Sequence, residues 1–214
     1  YDLRVPEVRQ QQADMARMYG INGFCYYHYW FNGKRLMDRP VKEILASGQP
    51  DFPFMLCWAN ENWSRNWDGK FRNILIEQHY SEEDDIEHMR YLCSKVFQDT
   101  RYIRIDGKPV FAIYRSNFFP NMKHTIDVWR KVAKEEYGIE LYLIRVENEP
   151  DFGPKYLDCG FDSAMDFQPL LMGEFNAWWK NLPFRIMNHL FKGKYQWFNK
   201  HFSYASYVKY RIKK

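Results

Sequence analysis

The run Trp58-Ala59-Asn60-Glu61-Asn62-Trp63-Ser64-Arg65-Asn66-Trp67-Asp68-Gly69 holds three tryptophans, two carboxylates, three asparagines and an arginine within twelve residues. Burying so many polar groups in an apolar core is costly unless each finds a partner. The same set suits a polyol, because indole faces stack on sugar C–H faces while amides, carboxylates and guanidinium groups bond to hydroxyls. Trp58, Asn60, Trp63, Trp67 and Asp68 are therefore candidate glycan ligands, and Glu61 is the candidate carboxylate for proton transfer. Glu61 is expected to be desolvated beside Trp58 and Trp63, a setting that tunes a carboxyl for such work. A structural loop turning at Asp68-Gly69 is the other reading of the segment.

Three further clusters could serve the same chemistry. In Tyr26-Tyr27-His28-Tyr29 an extended backbone puts Tyr27 and Tyr29 on one face and Tyr26 and His28 on the other. Trp30, Asn32 and Lys34 are then expected in a loop rimming the pocket, and His28 fits equally a packed strand with its ring hydrogen-bonded. Arg115 and Arg145 suit a phosphate or carboxylate, and Arg145 shares a strand face with Glu147, so the two can pair in the site or as a buried structural bridge. Asp166 and Gln168 share a face at the end of another extended segment and are candidates for hydroxyl contacts. Histidines 28, 79, 88, 124, 189 and 201 form no HxxxH pair, so the sequence implies neither a zinc site nor any other metal or cofactor. No GxSxG, GxGxxG or P-loop is present.

The elements that must carry these groups alternate. A helix is expected from Pro6 to Tyr19 with Gly20 as its stop, then a buried strand from Ile21 to Tyr29. A loop over Trp30 to Arg39 leads to a short helix opened by Pro40, a second strand over Phe52 to Ala59, and the polar loop from Asn60 to Gly69. An extended piece at Ile74 to Tyr80 precedes a long helix capped by Ser81, with Asp84 in a capping-box position, running to Gln98. Extended segments flank the Asp106-Gly107 turn, the second over Val110 to Arg115. A helix over Met122 to Tyr137, a strand over Glu140 to Val146, a short helix and a fifth strand over Phe161 to Phe167 complete the pattern. Such alternation implies an α/β fold with a parallel sheet. The clusters follow the ends of several different strands, as in barrel enzymes, rather than gathering at one switch point. The expectation is a partial (β/α)8 barrel-like domain over residues 1–170 with five readable parallel strands, followed by a basic, aromatic helical segment over 171–214. Five strands cannot close a barrel, and the chain starts at Tyr1, so the sequence is read as incomplete at both ends.

The net charge of +4 is uneven. Phe175 to Lys214 holds nine Lys/Arg, twelve aromatics and no acid, leaving 22 basic against 27 acidic residues in the body. The acidic body argues against a nucleic-acid partner, and the tail is open to contact with an anionic membrane surface or lipid-linked oligosaccharide. Pro183 to Lys192 can form an amphipathic helix; packing on the body is the alternative. No run approaches the ~18 apolar residues of a membrane span. Cys25, Cys57, Cys93 and Cys159 form no CxxC pair and sit among apolar neighbours, which reads as buried, reduced thiols in a cytoplasmic protein.

Residues 19–36 (YGINGFCYYHYWFNGKRL), 51–69 (DFPFMLCWANENWSRNWDG) and 106–115 (DGKPVFAIYR) closely resemble the WbsX-type glycosyltransferases, also described as glycoside hydrolase family 99-like. The resemblance runs from Tyr1 to about Gln168. It implies a (β/α)8-like barrel, glycosidic-bond chemistry in O-antigen or capsular polysaccharide synthesis, and, through the hydrolase relatives, activity on mannose-type linkages. Longer relatives begin with a Phe-Tyr-Leu-Pro-Gln-Phe-His-like strand and end with an Asn-Glu-Trp-x-Glu-Gly-like strand carrying the hydrolase glutamates. Neither motif is present here, and Asn60-Glu61-Asn62-Trp63 is a different element.

Overall fold

The structure, a computed structural model, describes residues 2–65, 70–147 and 155–167. The chain divides into two compact units, Tyr1–Asp166 and Phe167–Lys214. In chain order the first contains α1 (Pro6–Met18), β1 (Phe24–Phe31), β2 (Lys34–Leu36), α2 (Arg39–Ser47), β3 (Phe54–Trp58), β4 (Trp63–Arg65), β5 (Lys70–Ile76), α3 (Glu82–Tyr91), β6 (Arg104–Ile105), β7 (Lys108–Ile113), α4 (Met122–Tyr137), β8 (Tyr142–Glu147), α5 (Lys155–Asp158) and β9 (Ser163–Asp166).

Strands β1, β3, β7, β8 and β9 lie side by side in that order, each parallel to the next. Their order never reverses. A (β/α) barrel winds in this sense, whereas a doubly wound sheet reverses at a switch point. The five parallel strands expected from the sequence are these five, and the described residues form an unclosed part of such a barrel.

The register defines two faces, because side chains paired across parallel strands point the same way. Tyr27, Cys57, Ala112, Ile144 and Ser163 are successive partners on one face. His28, Trp58, Ile113, Arg145 and Ala164 are successive partners on the other. The second face is the core side. Leu56, Trp58, Phe111, Ile113 and Leu143 pack there with Met89, Leu92, Ile126 and Trp129 from the helical layer.

Local chemistry sets the element ends. Ser81 Oγ accepts from Asp84 N at 3.2 Å and caps α3. The Asp84 carboxylate, expected to complete a capping box, instead accepts from Trp30 Nε1 at 2.8 Å. The long helix expected as far as Gln98 is α-helical only to Tyr91, then widens into a π turn over Leu92–Val96. Helix α4 spans the expected residues, opened by Asn121 Oδ1 accepting from His124 N at 3.1 Å and closed by left-handed Gly138.

Two expected loops are hairpins. Trp30 and Phe31 extend β1, which turns at Asn32 (φ 47°) and Gly33 (φ 80°) into antiparallel β2. Positive φ at both central residues is the Asn-Gly turn that matches strand twist. The polar loop after β3 carries β4, which pairs antiparallel with β5, Trp63 opposite Ile76. The thiols also differ from expectation: Cys57 and Cys93 are buried, Cys159 is half-buried, and Cys25 is exposed. No helix among the described residues is long and apolar enough to cross a membrane.

Candidate active site: an aromatic cleft at the strand ends

A cleft of about 560 Å3 opens beyond the C-terminal ends of β1, β3 and β7. Tyr27 and Tyr29 line it from β1, Tyr114 from just past β7, Trp63 and Ser64 from β4, Leu75 from β5, and Ala59, Glu61 and Asn62 from the loop after β3. The ladder itself places several of these. Ala59 N donates to His28 O at 3.0 Å and Tyr114 N to Trp58 O at 3.1 Å, so both strand ends stay aligned past their last paired residues. Alternation then brings Tyr29, Ala59 and Tyr114 to one level on the face that carries Tyr27.

The aromatic walls are arranged edge to face. Tyr27 meets Tyr114 with ring centroids 6.0 Å apart at 87°, and Tyr29 meets Trp63 at 5.3 Å and 73°. Phe31 also meets Trp63, at 5.6 Å and 76°. These separations lie in the favourable range for aromatic pairs. Burial pushes the Tyr27 hydroxyl up to about 12, so it remains a neutral hydrogen-bonding group.

Asn60 organises the polar rim from below. It is fully buried; its Nδ2 donates to Arg115 O at 2.8 Å and to Tyr80 Oη at 3.0 Å, while its Oδ1 accepts from Arg115 N at 2.8 Å. Asn62 Oδ1 accepts from Gln78 N at 2.7 Å, fixing the outer end of the loop. Between them Glu61 Oε1 accepts from Arg115 Nε at 2.6 Å, an ion pair whose carboxylate side chain is 38% exposed. The Arg115 guanidinium also lies over the Tyr114 ring at 5.0 Å.

The sequence-predicted residues therefore divide. Tyr27, Tyr29, Glu61 and Trp63 come together in the cleft, with Arg115 at its rim through Glu61. Trp58 and Trp30 do not: both are sealed on the core side, because their strand positions face the helices. Trp58 Nε1 donates to Trp30 O at 3.2 Å, and its ring is enclosed by His88, Phe119 and Trp129. Glu61 accordingly sits in an ion pair at a rim, not in an apolar slot between two indoles. Asn60 supports the cleft but is too buried to touch a ligand. Asn32 and Lys34 are exposed on the β1–β2 hairpin and do not line the cleft. Arg145 and Glu147 share a face and pair at 2.9 Å as expected, but register with Ile113 and Trp58 places that face opposite Tyr27. Asp166 pairs in register with Glu147 and follows it to that face. Trp67, Asp68 and Gln168 lie outside the described residues.

Tyr114, Asn62, Ser64, Ala59 and Leu75 were not singled out from sequence. The parity of β7 supplies the missing signal for Tyr114: with Ala112 on the cleft face, Tyr114 must follow it, while Arg115 turns away and reaches the cleft only through its long side chain.

The fold and cleft thus define part of a (β/α)-barrel protein whose aromatic site lies at the strand C-termini. The family model described as "Glycosyltransferase WbsX" matches residues 1–214, and the chain belongs to that family. It is 36% identical over 169 residues to "Uncharacterized protein WxcX" of Xanthomonas campestris pv. campestris, in both strain B100 and strain ATCC 33913, covering 79% of this chain and 24% of the relative. A solved "Glycoside hydrolase-like protein" superposes with a TM-score of 0.57 at 15% identity, over 78% of this chain and 51% of that one. The GH99 endo-alpha-mannosidase from Bacteroides thetaiotaomicron superposes with a TM-score of 0.57 at 13% identity, over 90% of this chain and 52% of its own. These structural likenesses establish the fold. The chain spans about a quarter of the curated relatives and about half of the solved structures.

Proposed function

We propose that this chain supplies a saccharide-binding cleft to an enzyme of bacterial surface polysaccharide synthesis, of O-antigen or capsule, acting by glycosyl transfer. Family membership supports a carbohydrate-active role. The observation that carries the reading is the cleft itself, in which Tyr27, Tyr29, Trp63 and Tyr114 surround a space open to Glu61, Asn62 and Ser64. A pyranose presents apolar C–H faces and a girdle of hydroxyls, and this lining matches both. Trp63 and the tyrosines stack on the rings, Asn62 and Ser64 bond hydroxyls, and Glu61 takes or gives the proton of an attacking or leaving oxygen. Arg115 meets an anionic donor group by exchanging its Glu61 partner for phosphate or carboxylate oxygens. Arg145, Glu147 and Asp166 serve the fold. The basic, aromatic tail over 175–214, outside the described residues, is the proposed contact with an anionic membrane surface, which places the work at the cytoplasmic face near lipid-linked sugars.

The fold shared with an endo-alpha-mannosidase favours hydrolysis as the second reading. Glycoside hydrolysis ordinarily uses two carboxylates astride the scissile bond. Among the described residues lining the cleft only Glu61 is acidic, which favours transfer or binding. Titrating the chain with a mannose-containing oligosaccharide by calorimetry tests the cleft, with Trp63→Ala expected to weaken binding about tenfold, a change of about 1.4 kcal/mol. Unchanged affinity removes the cleft from sugar binding. Incubation with nucleotide-sugar donors and with water alone separates the chemistries: elongated acceptor supports transfer, released reducing sugar supports hydrolysis, and binding without turnover by this chain limits it to recognition.

A further inference from the structure

The β4–β5 hairpin forms one side of the aromatic cleft, and its ladder is irregular there. Trp63 pairs with Ile76, and the next residue, Ser64, pairs with Ile74. One step along β4 is thus matched by two along β5, which makes Leu75 the extra residue of a β-bulge. Successive residues of a regular strand point to opposite faces. Trp63, Ser64 and Leu75 nevertheless all line the cleft. A bulge bends its strand and re-aims a side chain, and bulges are over-represented beside active sites. This one brings a leucine into a space shared with a tryptophan and three tyrosines.

Leu75 is 53% exposed, so much of its apolar surface is wet and open to a ligand. Its chemistry is narrow. Glu61, Asn62, Ser64 and the tyrosine hydroxyls can bond to the hydroxyls of a sugar, whereas the Leu75 and Ala59 side chains offer only carbon. A hydroxyl laid against Leu75 loses water and finds no partner in that side chain, while a methyl gains by burial. We propose that Leu75 is a specificity-determining residue that selects a saccharide bearing a methyl group, either the C6 methyl of a 6-deoxyhexose or the methyl of an acetylated sugar. The inference rests on the cleft being a saccharide site, as proposed above, and names the class of sugar that site takes. Aromatic faces stack on most pyranose rings. The carbon-only surface of Leu75 adds the distinction between a methyl and a hydroxymethyl group. Apolar contacts discriminate by a modest factor, so the preference is graded and not absolute.

Two matched pairs of disaccharides are titrated into the chain by calorimetry. Mannose against 6-deoxymannose units differ by one oxygen, and N-formylglucosamine against N-acetylglucosamine units differ by one methyl. The methyl-bearing member of at least one pair is expected to bind about fourfold tighter, the worth of one buried carbon. The pair that shows the preference identifies the source of the methyl. Leu75→Thr is expected to abolish it and Leu75→Val to keep it, because the two variants share a shape and differ in the hydroxyl. Both are β-branched and suit a strand, and their folding is compared with wild type by circular dichroism and thermal melts. Equal affinities within both pairs, or a preference that survives in Leu75→Thr, overturns the role of Leu75 and leaves the saccharide cleft standing. No binding of any of the four sugars overturns the cleft and this inference together.

Discussion

Asn60 and Arg115 are joined by a reciprocal pair of hydrogen bonds, Asn60 Nδ2 to Arg115 O and Arg115 N to Asn60 Oδ1, both at 2.8 Å. One side-chain amide thus imitates a further rung of the β3–β7 ladder where the backbones part. Asn60→Ala removes both hydrogen bonds to the Arg115 backbone, whose carbonyl still accepts from Phe118 N at 3.3 Å, and losing such a buried partner costs about 1–3 kcal/mol. The variant is expected to lose about 2–4 kcal/mol in urea denaturation and, because the Arg115 backbone is no longer fixed at the cleft rim, to bind anionic sugars more weakly. A loss below about 0.5 kcal/mol shows that the rung does not hold the strand ends together.

Trp58 and Trp63 are five positions apart in one motif, yet the structure assigns them opposite tasks. Trp58 is 1% exposed and enclosed by aromatic rings, so Trp58→Ala is expected to cost about 3–5 kcal/mol and reduce soluble yield. Trp63 lines the cleft and is only partly covered, so Trp63→Ala is expected to fold with a smaller loss while weakening saccharide binding. Thermal melts and calorimetric titration of the pair measure this directly. Equal destabilisation by both substitutions refutes the division.

Much of this division was already encoded in strand parity. The five parallel strands, helix α4 to its last residue, and the two faces of Tyr26 to Tyr29 follow from hydrophobic runs and alternation. Trp30 and Trp58 fall on the core face although polar residues flank them in sequence, because strand parity and not local polarity sets the face. Counting alternately from Tyr27 along β1 puts Trp30 with His28 on the core face. The Asn32-Gly33 pair is a strong hairpin signal that the loop expectation passed over. The ion pair between Glu61 and Arg115 depends on which strands are neighbours. That is a long-range fact no local pattern carries.

Acid should destabilise this domain through its buried histidines, against partial opposition from buried carboxyls. His28 and His88 face each other at 2.9 Å between Nε2 atoms, inside a cage of Trp30, Trp58 and Tyr91. Burial holds His28 down to about 3, and His88 well below its ordinary value. Below the ordinary histidine range the unfolded chain binds protons that the folded one refuses, so stability falls as pH falls below about 6.5. Asp85, buried and accepting from Thr125 Oγ1 at 2.9 Å, is pushed by burial up to about 6. Its sign is opposite: the folded state binds the extra proton, giving stability that is full below about 4 and lost as pH rises through about 6. Asp85→Asn keeps an acceptor for Thr125 and removes that compensation. The variant is expected to lose stability more steeply than wild type between pH 6 and 4, by about 1.4 kcal/mol per pH unit. Parallel slopes in urea denaturation across that range show that Asp85 does not titrate as described.

The β1–β2 hairpin offers a last test, because its two turn residues share positive φ but differ in how well they tolerate it. Gly33 sits at φ 80°, and a Cβ added there meets the Glu87 carboxylate at 3.5 Å, an ordinary contact. Gly33→Ala is therefore opposed by backbone strain and not by a clash, with an expected cost of about 1–2 kcal/mol. Asn32, at φ 47°, already belongs to the residue types that accept this conformation, so Asn32→Gly is expected to change stability by only a few tenths of a kcal/mol. The hairpin is tied to α3 through the Trp30–Asp84 hydrogen bond, and Asp84→Ala, which orphans the buried indole N–H, is expected to cost about 1–3 kcal/mol. Because the Trp30 ring is buried on the core side, away from the cleft face, the Asp84 loss should appear in denaturant midpoints while saccharide affinity stays unchanged. A drop in affinity in step with the loss of stability would instead couple the hairpin to the site.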